Sequence, residues 1–394
     1  MSTTVLQGAP QTQAVAPALT TPQILKTGLV GIWISTLLLM TAVIAGARSH
    51  RDEMKVIGID SAPSIIHSLR IRTALADMDA HAASESRDVF EDRRKEAVSA
   101  IVDAAKNITY KDEREPIEIL ALGLSTYTAQ VQAARDRHDI AAWREAQKIM
   151  DDSLLPNADA LDKANRNELD KAYEAQKGAS RLALTMLILG GLLTGAALIS
   201  VQIFTAARMR RVVNPFLFLA TVGAWIFVVY AGQRYQASDY HLKVAKKDAF
   251  ESIHSLWQAR ATAYSANGDL ARAALDPAQR TSHEAAFRTR TGKVRGFLAD
   301  ELRNITFEGE EEAARETAKR FDEYQSAKTP AALKDFDDAL DKTLQINERA
   351  FNEAVNRGYR QDLANFEITA PIWAAAICLL AWLGMRPRIR EYSM

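Results

Sequence analysis

The sequence predicts an all-α integral membrane protein with four transmembrane helices and two tandem extracytoplasmic four-helix bundles arising from an internal duplication. Three observations predict this. Residues 27–47, 182–207, 212–233 and 368–385 contain no charged side chain, and a helix needs about 20 apolar residues to cross a bilayer core. The two long segments between these runs carry apolar residues at helical spacing, and nothing in them alternates long enough for a strand. Landmarks in the first of those segments recur in the same order in the second.

Composition limits the alternatives. The chain has 394 residues, 48% hydrophobic and 25% charged, with 49 Lys plus Arg against 49 Asp plus Glu. A neutral balance argues against a nucleic-acid partner, which calls for a basic surface. Cys378 is the one cysteine, so no intrachain disulfide and no cysteine-rich metal site can form. Each long segment must therefore hold together through its own core.

The elements follow in order. Residues 1–26 are rich in Ala, Thr, Gln and Pro without period and are expected to be a disordered cytoplasmic tail. Residues 27–47 form the first span. Ala-Gly-Ala before Arg48 also suits a signal-peptide cleavage site, so an uncleaved anchor and a cleaved leader both stay open. Residues 48–181 form the first bundle and 182–207 the second span. Residues 208–214 are a short basic loop, 215–233 the third span, 234–367 the second bundle, 368–385 the fourth span and 386–394 a basic tail. Short basic loops stay in the cytoplasm. Arg208, Arg210 and Arg211, and then Arg386, Arg388 and Arg390, thus place both termini on the cytoplasmic side of the membrane and both bundles outside. The same arginines are the candidate contacts for a cytoplasmic partner.

The repeat is read from three landmarks. Ile-His-Ser-Leu occurs at His67 and His254, 187 residues apart. Asn-Ile-Thr occurs at Asn107 and Asn304, 197 apart. Asn165 and Asn347 lie in similar surroundings, 182 apart. The Asn-Ile-Thr elements fall between the second and third helices, where Asn and Thr favour turns. Thr109 with Asp112 makes a capping-box pattern, and Glu310 to Glu312 supply negative charge to the next helix start. Asp276-Pro277 and Thr329-Pro330 read as helix starts. Pro156 is expected to break or kink the last helix of the first bundle.

No catalytic, nucleotide-binding or metal-binding signature is present, so neither an enzyme nor a cofactor is expected. His67 and His254 read as packed histidines. Asp77 and Asp79, two residues apart on a helix, read as solvated charges rather than a catalytic pair. Arg70 and Arg72 in the first bundle and Arg260 in the second are candidates for gripping a ligand carboxylate, because the guanidinium fork binds it bidentately. Trp257 beside Arg260 is either core or the lip of such a site. Within the spans, Gly191 and Gly195 permit close helix contact, and no Asp, Glu, Lys or Arg is present to suggest a transport path.

The stretches KKDAFESIHSLWQARATAYSANGD (246–269), RTALADMDAHAA (72–83), LLPNADALDKAN (154–165) and RMRRVVNPFLFLATV (208–222) resemble the GlnX-like bacterial membrane proteins, a family with tandem extracytoplasmic helical bundles. The resemblance implies a non-enzymatic sensor or relay in a bacterial inner or plasma membrane. Its input would be amino-acid availability, received through a solute-binding lipoprotein outside. Its output would go to a kinase-type signalling partner inside. Membrane lipid is the remaining partner, and the shape admits a homo-oligomer. The competing reading is a scaffold subunit of an envelope complex.

Overall fold

The computed structural model describes residues 20–82, 87–209, 213–361, 363 and 365–391. These residues form twelve α-helices, with no strand among them. Helices α1 (Thr21–Lys55), α6 (Leu155–Met209), α7 (Pro215–Lys243) and α12 (Phe366–Arg390) carry the four apolar runs, and all four are long and apolar enough to cross a membrane. Helix α1 starts at Thr21, so residues 21–26, expected in the disordered tail, are helical.

The residues divide into two compact units. The smaller holds the chain up to Ile44, Thr185–Ala231 and the residues from Glu367 onward. Its interior is built from Leu25, Ile32, Leu198, Leu217, Ala224 and Ile377, while Ile34, Leu38, Ile203, Phe218 and Ile372 point outward. Apolar side chains on both faces are what a lipid solvent demands. Gly191 and Gly195 both face α7. A Cβ on Gly191 would stand 2.7 Å from Val228 Cγ2, and one on Gly195 would stand 3.2 Å from Trp225 Cζ2. The small-residue pair therefore allows the close approach its spacing suggests.

The larger unit holds Ala45–Leu184 and Gly232–Phe366. The first bundle comprises the end of α1 running into α2 (Ala62–Ala82), then α3 (Arg87–Lys106), α4 (Arg114–Arg137), and α5 (Ile140–Ile149) running into α6. The second comprises the end of α7 running into α8 (Glu251–Leu275), then α9 (Arg280–Arg303), α10 (Glu310–Ala327) and α11 (Pro330–Asn356). Wide π-helical turns join these pieces at Val56–Ser61, Met150–Leu154, Val244–Phe250 and Arg357–Gln361. They explain why Pro156 does not break its helix. A proline ring collides with the carbonyl four residues back in a regular helix. Here the turn immediately before Pro156 is already widened, and Pro63 follows the turn at Val56–Ser61 in the same way.

The two bundles form one unit rather than two separate domains. Ile57, Ile65, Leu69, Leu169 and Tyr173 of the first share a core with Phe250, Leu256, Phe321, Phe336 and Phe351 of the second. A further core, including Leu75, Phe90, Leu120, Tyr127 and Trp143, belongs to the first bundle alone.

The Asn-Ile-Thr elements are turns, built alike. The Asn107 side-chain amide donates to Ser64 Oγ at 2.9 Å, and that of Asn304 to Ser252 Oγ at 2.9 Å. Thr109 and Thr306 hydroxyls donate back to the Asn carbonyls. A buried glutamate closes each turn. Glu113 Oε2 accepts from the amides of Thr109 and Tyr110, and Glu310 Oε2 from those of Thr306 and Phe307. The closing acid in the first turn is thus Glu113, not Asp112. It lies one residue further on, where its carboxylate reaches the exposed amides before the helix. The third landmark pair also matches in role: Asn165 and Asn347 are fully buried, and each donates to the carbonyl four residues back. Thr329 caps α11 as expected, accepting from Ala332 N, whereas α9 starts at Arg280, after a turn that Asp276 opens.

Gly191→Leu is expected to lower the thermal unfolding midpoint of the detergent-solubilised protein, by about 1–3 kcal/mol of overpacking. Gly31→Leu, in a span position with nothing within 4 Å, is expected to leave the midpoint unchanged.

Candidate functional site

Helices α2 and α8 lie side by side, one from each bundle. Small residues make this possible: Ala259, Ala263, Ala266 and Gly268 of α8 are buried at or near the contact. A Cβ on Gly268 would stand 3.2 Å from Asp79 Oδ2. Around this seam the chain places many charged groups out of water, and several of them pair across the bundles.

One row runs between α6 and the α2–α8 pair. Residues 159, 162, 166 and 170 of α6 repeat at three- and four-residue spacing and so share a face. Asp159 lies 2.7 Å from Arg72 Nε, and Arg72 also donates to Gln258 and Thr262 of α8. Asp162 accepts from Gln258 Nε2 at 3.1 Å and lies 3.2 Å from His254 Nε2. Arg166 donates to His254 Nδ1 at 2.5 Å and to Glu251 at 2.7 Å. An arginine only donates, so the ring accepts on Nδ1 and presents its Nε2 proton to Asp162. Asp170 and Glu251 hold the fully buried Lys246 at 2.8 and 2.5 Å. His254, expected as a packed histidine, is therefore a link in a charged row. Its counterpart His67 is half-buried, and burial beside Arg70 pushes its imidazole below the usual range.

A second cluster joins the far ends of the same helices. Arg272 lies 2.8 Å from Asp79 Oδ2 and 2.6 Å from Asp151 Oδ2. Arg290 pairs with Asp269 at 2.6 Å, and Tyr127 donates to Asp79 at 2.9 Å. Arg144 binds Asp276 through two nitrogens. Asp77 and Asp79, expected as solvated charges, are both buried: Asp77 pairs with His81 and Arg93, and Asp79 with Arg272. Two residues apart they leave the helix in different directions, which is why each meets a different partner. The Asp77 hydrogen bond raises the His81 pKa from its ordinary value.

A cleft of about 270 Å³ is lined by Arg70, Asp77, Arg93, Trp257, Arg260 and Tyr264 among others. Three of the four predicted ligand candidates meet here. Arg70 and Arg260 stack on Trp257, their guanidinium carbons 5.6 and 4.8 Å from its ring centre, a favourable cation–π arrangement. Arg260 is buried and held by Asp337 at 2.6 Å and by Asp341, so its charge is already matched. Arg70 is exposed and has Trp257 as its neighbour. Trp257 is both core and lip: it is buried, and its indole Nε1 finds no acceptor. Arg72, one candidate of the four, belongs instead to the row with Asp159.

In the smaller unit the start of α7 and the end of α12 are tied together. Asn214 Oδ1 accepts from the amides of Phe216 and Leu217, and its Nδ2 donates to the Gly384 carbonyl at 2.7 Å. Arg386 stacks on Trp382, Arg388 pairs with Glu391, and Arg390 ends the helix. Arg208 lies in the last turn of α6, while Arg210 and Arg211 fall outside the described residues. Among the described residues, no group of acidic, histidine or cysteine side chains could hold a metal ion.

Arg272→Met strands the buried Asp79 without its cation, leaves Asp151 only the more distant Arg290, and is expected to cost about 3–5 kcal/mol of unfolding free energy. Arg295→Met, which breaks the exposed pair with Asp322, is expected to cost under about 1 kcal/mol. Chemical denaturation of the two variants measures both.

Residues 53–174, most of the first bundle, match a family model described as an actinobacterial sensor domain. No curated protein matches the chain. The part of this chain that meets the second bundle through α2 and α6 is thus similar to bacterial sensor domains, a likeness that fits a membrane sensor.

Proposed function

We propose that the chain is a non-enzymatic membrane sensor or signal relay of a bacterial inner membrane. In this reading both bundles stand outside, both termini stand inside, and the two halves descend from one duplicated unit. The observation that carries the reading is the match of residues 53–174 to a sensor domain. The four apolar helices support it, as does the shared construction of the two Asn-Ile-Thr turns.

The proposed point of input is the cleft at Trp257. A small molecule bearing a carboxylate, such as an amino acid, would set that group against Arg70 and its hydrocarbon against the Trp257 lip. Arg260 would hold the indole in place. Ligand at this point touches both α2 and α8, so binding shifts the balance between arrangements of the two bundles. A solute-binding lipoprotein would deliver the cue. The arginines at 208–211 and 386–390 would face a kinase-type partner, since the chain itself carries no catalytic signature.

Crosslinked pull-down of the intact protein from its own membranes, read by mass spectrometry, tests the relay. Recovery of a solute-binding lipoprotein with a cytoplasmic signalling protein is the expected outcome. Recovery of a wall or secretion complex in fixed ratio would instead make the bundles docking posts. The cleft is tested separately by thermal shift with a set of free amino acids. A stabilising amino acid is expected to lose about tenfold in affinity or more on Arg70→Ala, the loss of one charge-assisted contact. An equal shift in the variant would exclude Arg70 as the anchor.

A further inference from the structure

The two Asn-Ile-Thr turns share their construction but differ at a position that faces the closing glutamate. Three positions before the asparagine, the first bundle has Ala104 and the second has Glu301. Glu301 is buried, and so is Glu310, the acid that closes the turn. The side chains are within hydrogen-bonding reach of one another. Two carboxylates cannot share a dry site while both are charged.

The surroundings offer no cation to relieve them. Each element packed around the pair contributes a neutral group or one already matched elsewhere. From α8, the Ser252 hydroxyl bonds Glu301, while Glu251 is taken up by Lys246 and Arg166. In the turn before α8 the carbonyls of Lys247 and Asp248 accept from Asn304, while Lys246 is held by Asp170 and Glu251, the Lys247 ammonium lies over Tyr173 and Asp248 pairs with Lys243. On α9, Asp300 and Arg303 pair with each other. On α10, Glu311 pairs with Arg315 at the surface. From α11, the fully buried Asn347 donates to Glu301 Oε1 at 3.3 Å, and its own Oδ1 has no partner. Two further buried oxygens, Glu301 Oε2 and Glu310 Oε1, also lack a donor. The pair thus has acceptors in excess and is short of one hydrogen.

The serine shows the same difference. Ser64 Oγ passes its proton to the backbone carbonyl of Asp60, four residues back. Ser252 passes its proton to Glu301 instead, so the asparagine, serine and carboxyl form one chain in the second bundle.

We infer that the second bundle binds a single proton between Glu301 and Glu310, and that losing it releases the turn at Asn304–Glu310. With the proton present, Glu301 donates to Glu310 Oε1, and Glu310 Oε2 stays on the amides of Thr306 and Phe307. With it gone, two buried negative charges repel, and Glu310 is the one free to leave, because it is held only by those two amides. The compartment facing the second bundle would then be read for acidity as well as for a ligand. Burial and Glu310 push the Glu301 carboxyl up to about 7. The sign follows: the stabilisation is complete below the ordinary glutamate range near 4.5 and is lost as pH rises through about 7.

Hydrogen exchange on the full-length protein in detergent tests this, because the first bundle supplies an internal reference. The protection of the Thr306 and Phe307 amides is divided by that of Thr109 and Tyr110 at each pH from 5 to 8. The ratio is expected to fall about tenfold between pH 6 and pH 8. In Glu301→Gln, whose amide donates to Glu310 at every pH, it is expected to stay constant and to exceed the wild-type value at pH 8. A constant ratio in the wild type, or the same fall in the variant, would overturn the inference.

Discussion

The approach of α2 to α8 governs the larger unit. Small side chains on α8 let two helices from different bundles come together, and Asp79, Lys246, Arg260 and Arg272 are then shut away from water. A buried charge is tolerable only when matched. Arg72, Lys246, Arg260 and Arg272 each consequently hold two carboxylates or a carboxylate and an amide. The apolar core alone would let the bundles slide, since hydrophobic contact is non-directional. Paired charges at fixed spacing along α6 set their register.

This division of labour bears on sensing. A purely apolar seam offers no discrete partners to exchange. A seam whose partners are polar can exchange one set of pairs for another, at modest net cost, when a ligand or a proton changes the count of charges. The cleft at Trp257 sits where such an exchange touches both helices. Its arginines differ in status: Arg260 belongs to the scaffold, and Arg70 stands at its edge.

Much of the architecture was legible in the sequence because it rests on periodicity and on absence of charge. The four apolar runs, the helical segments of each bundle and the cap at Thr329 all follow from local chemistry. So does the meeting of Arg70, Trp257 and Arg260, in part: Trp257 and Arg260 share a helix face by spacing, whereas Arg70 joins them only through the packing of α8 on α2. What local chemistry could not show was which charges would be buried. Asp77, Asp79 and His254 look like surface or packed groups because their partners, Arg93, Arg272, Asp162 and Arg166, lie far away in the chain. Glu113 was not legible for another reason: the four-residue capping pattern ends at Asp112, while the turn is one residue longer. A signal was available, since Asn-Ile-Thr followed by an aromatic residue and then by glutamate three positions later occurs at both sites.

The wide turns before α2 and α8 have a consequence for how the halves could diverge. The first has six residues and the second seven. The serine that meets the turn asparagine lies three residues before His67 in the first half but two before His254 in the second. A π-helical turn holds one residue more than a regular helix would need. It can therefore take up an inserted or deleted residue without rotating the helix beyond it. Such joints act as expansion gaps: changes in chain length are absorbed locally, and the long helices on either side keep their phase.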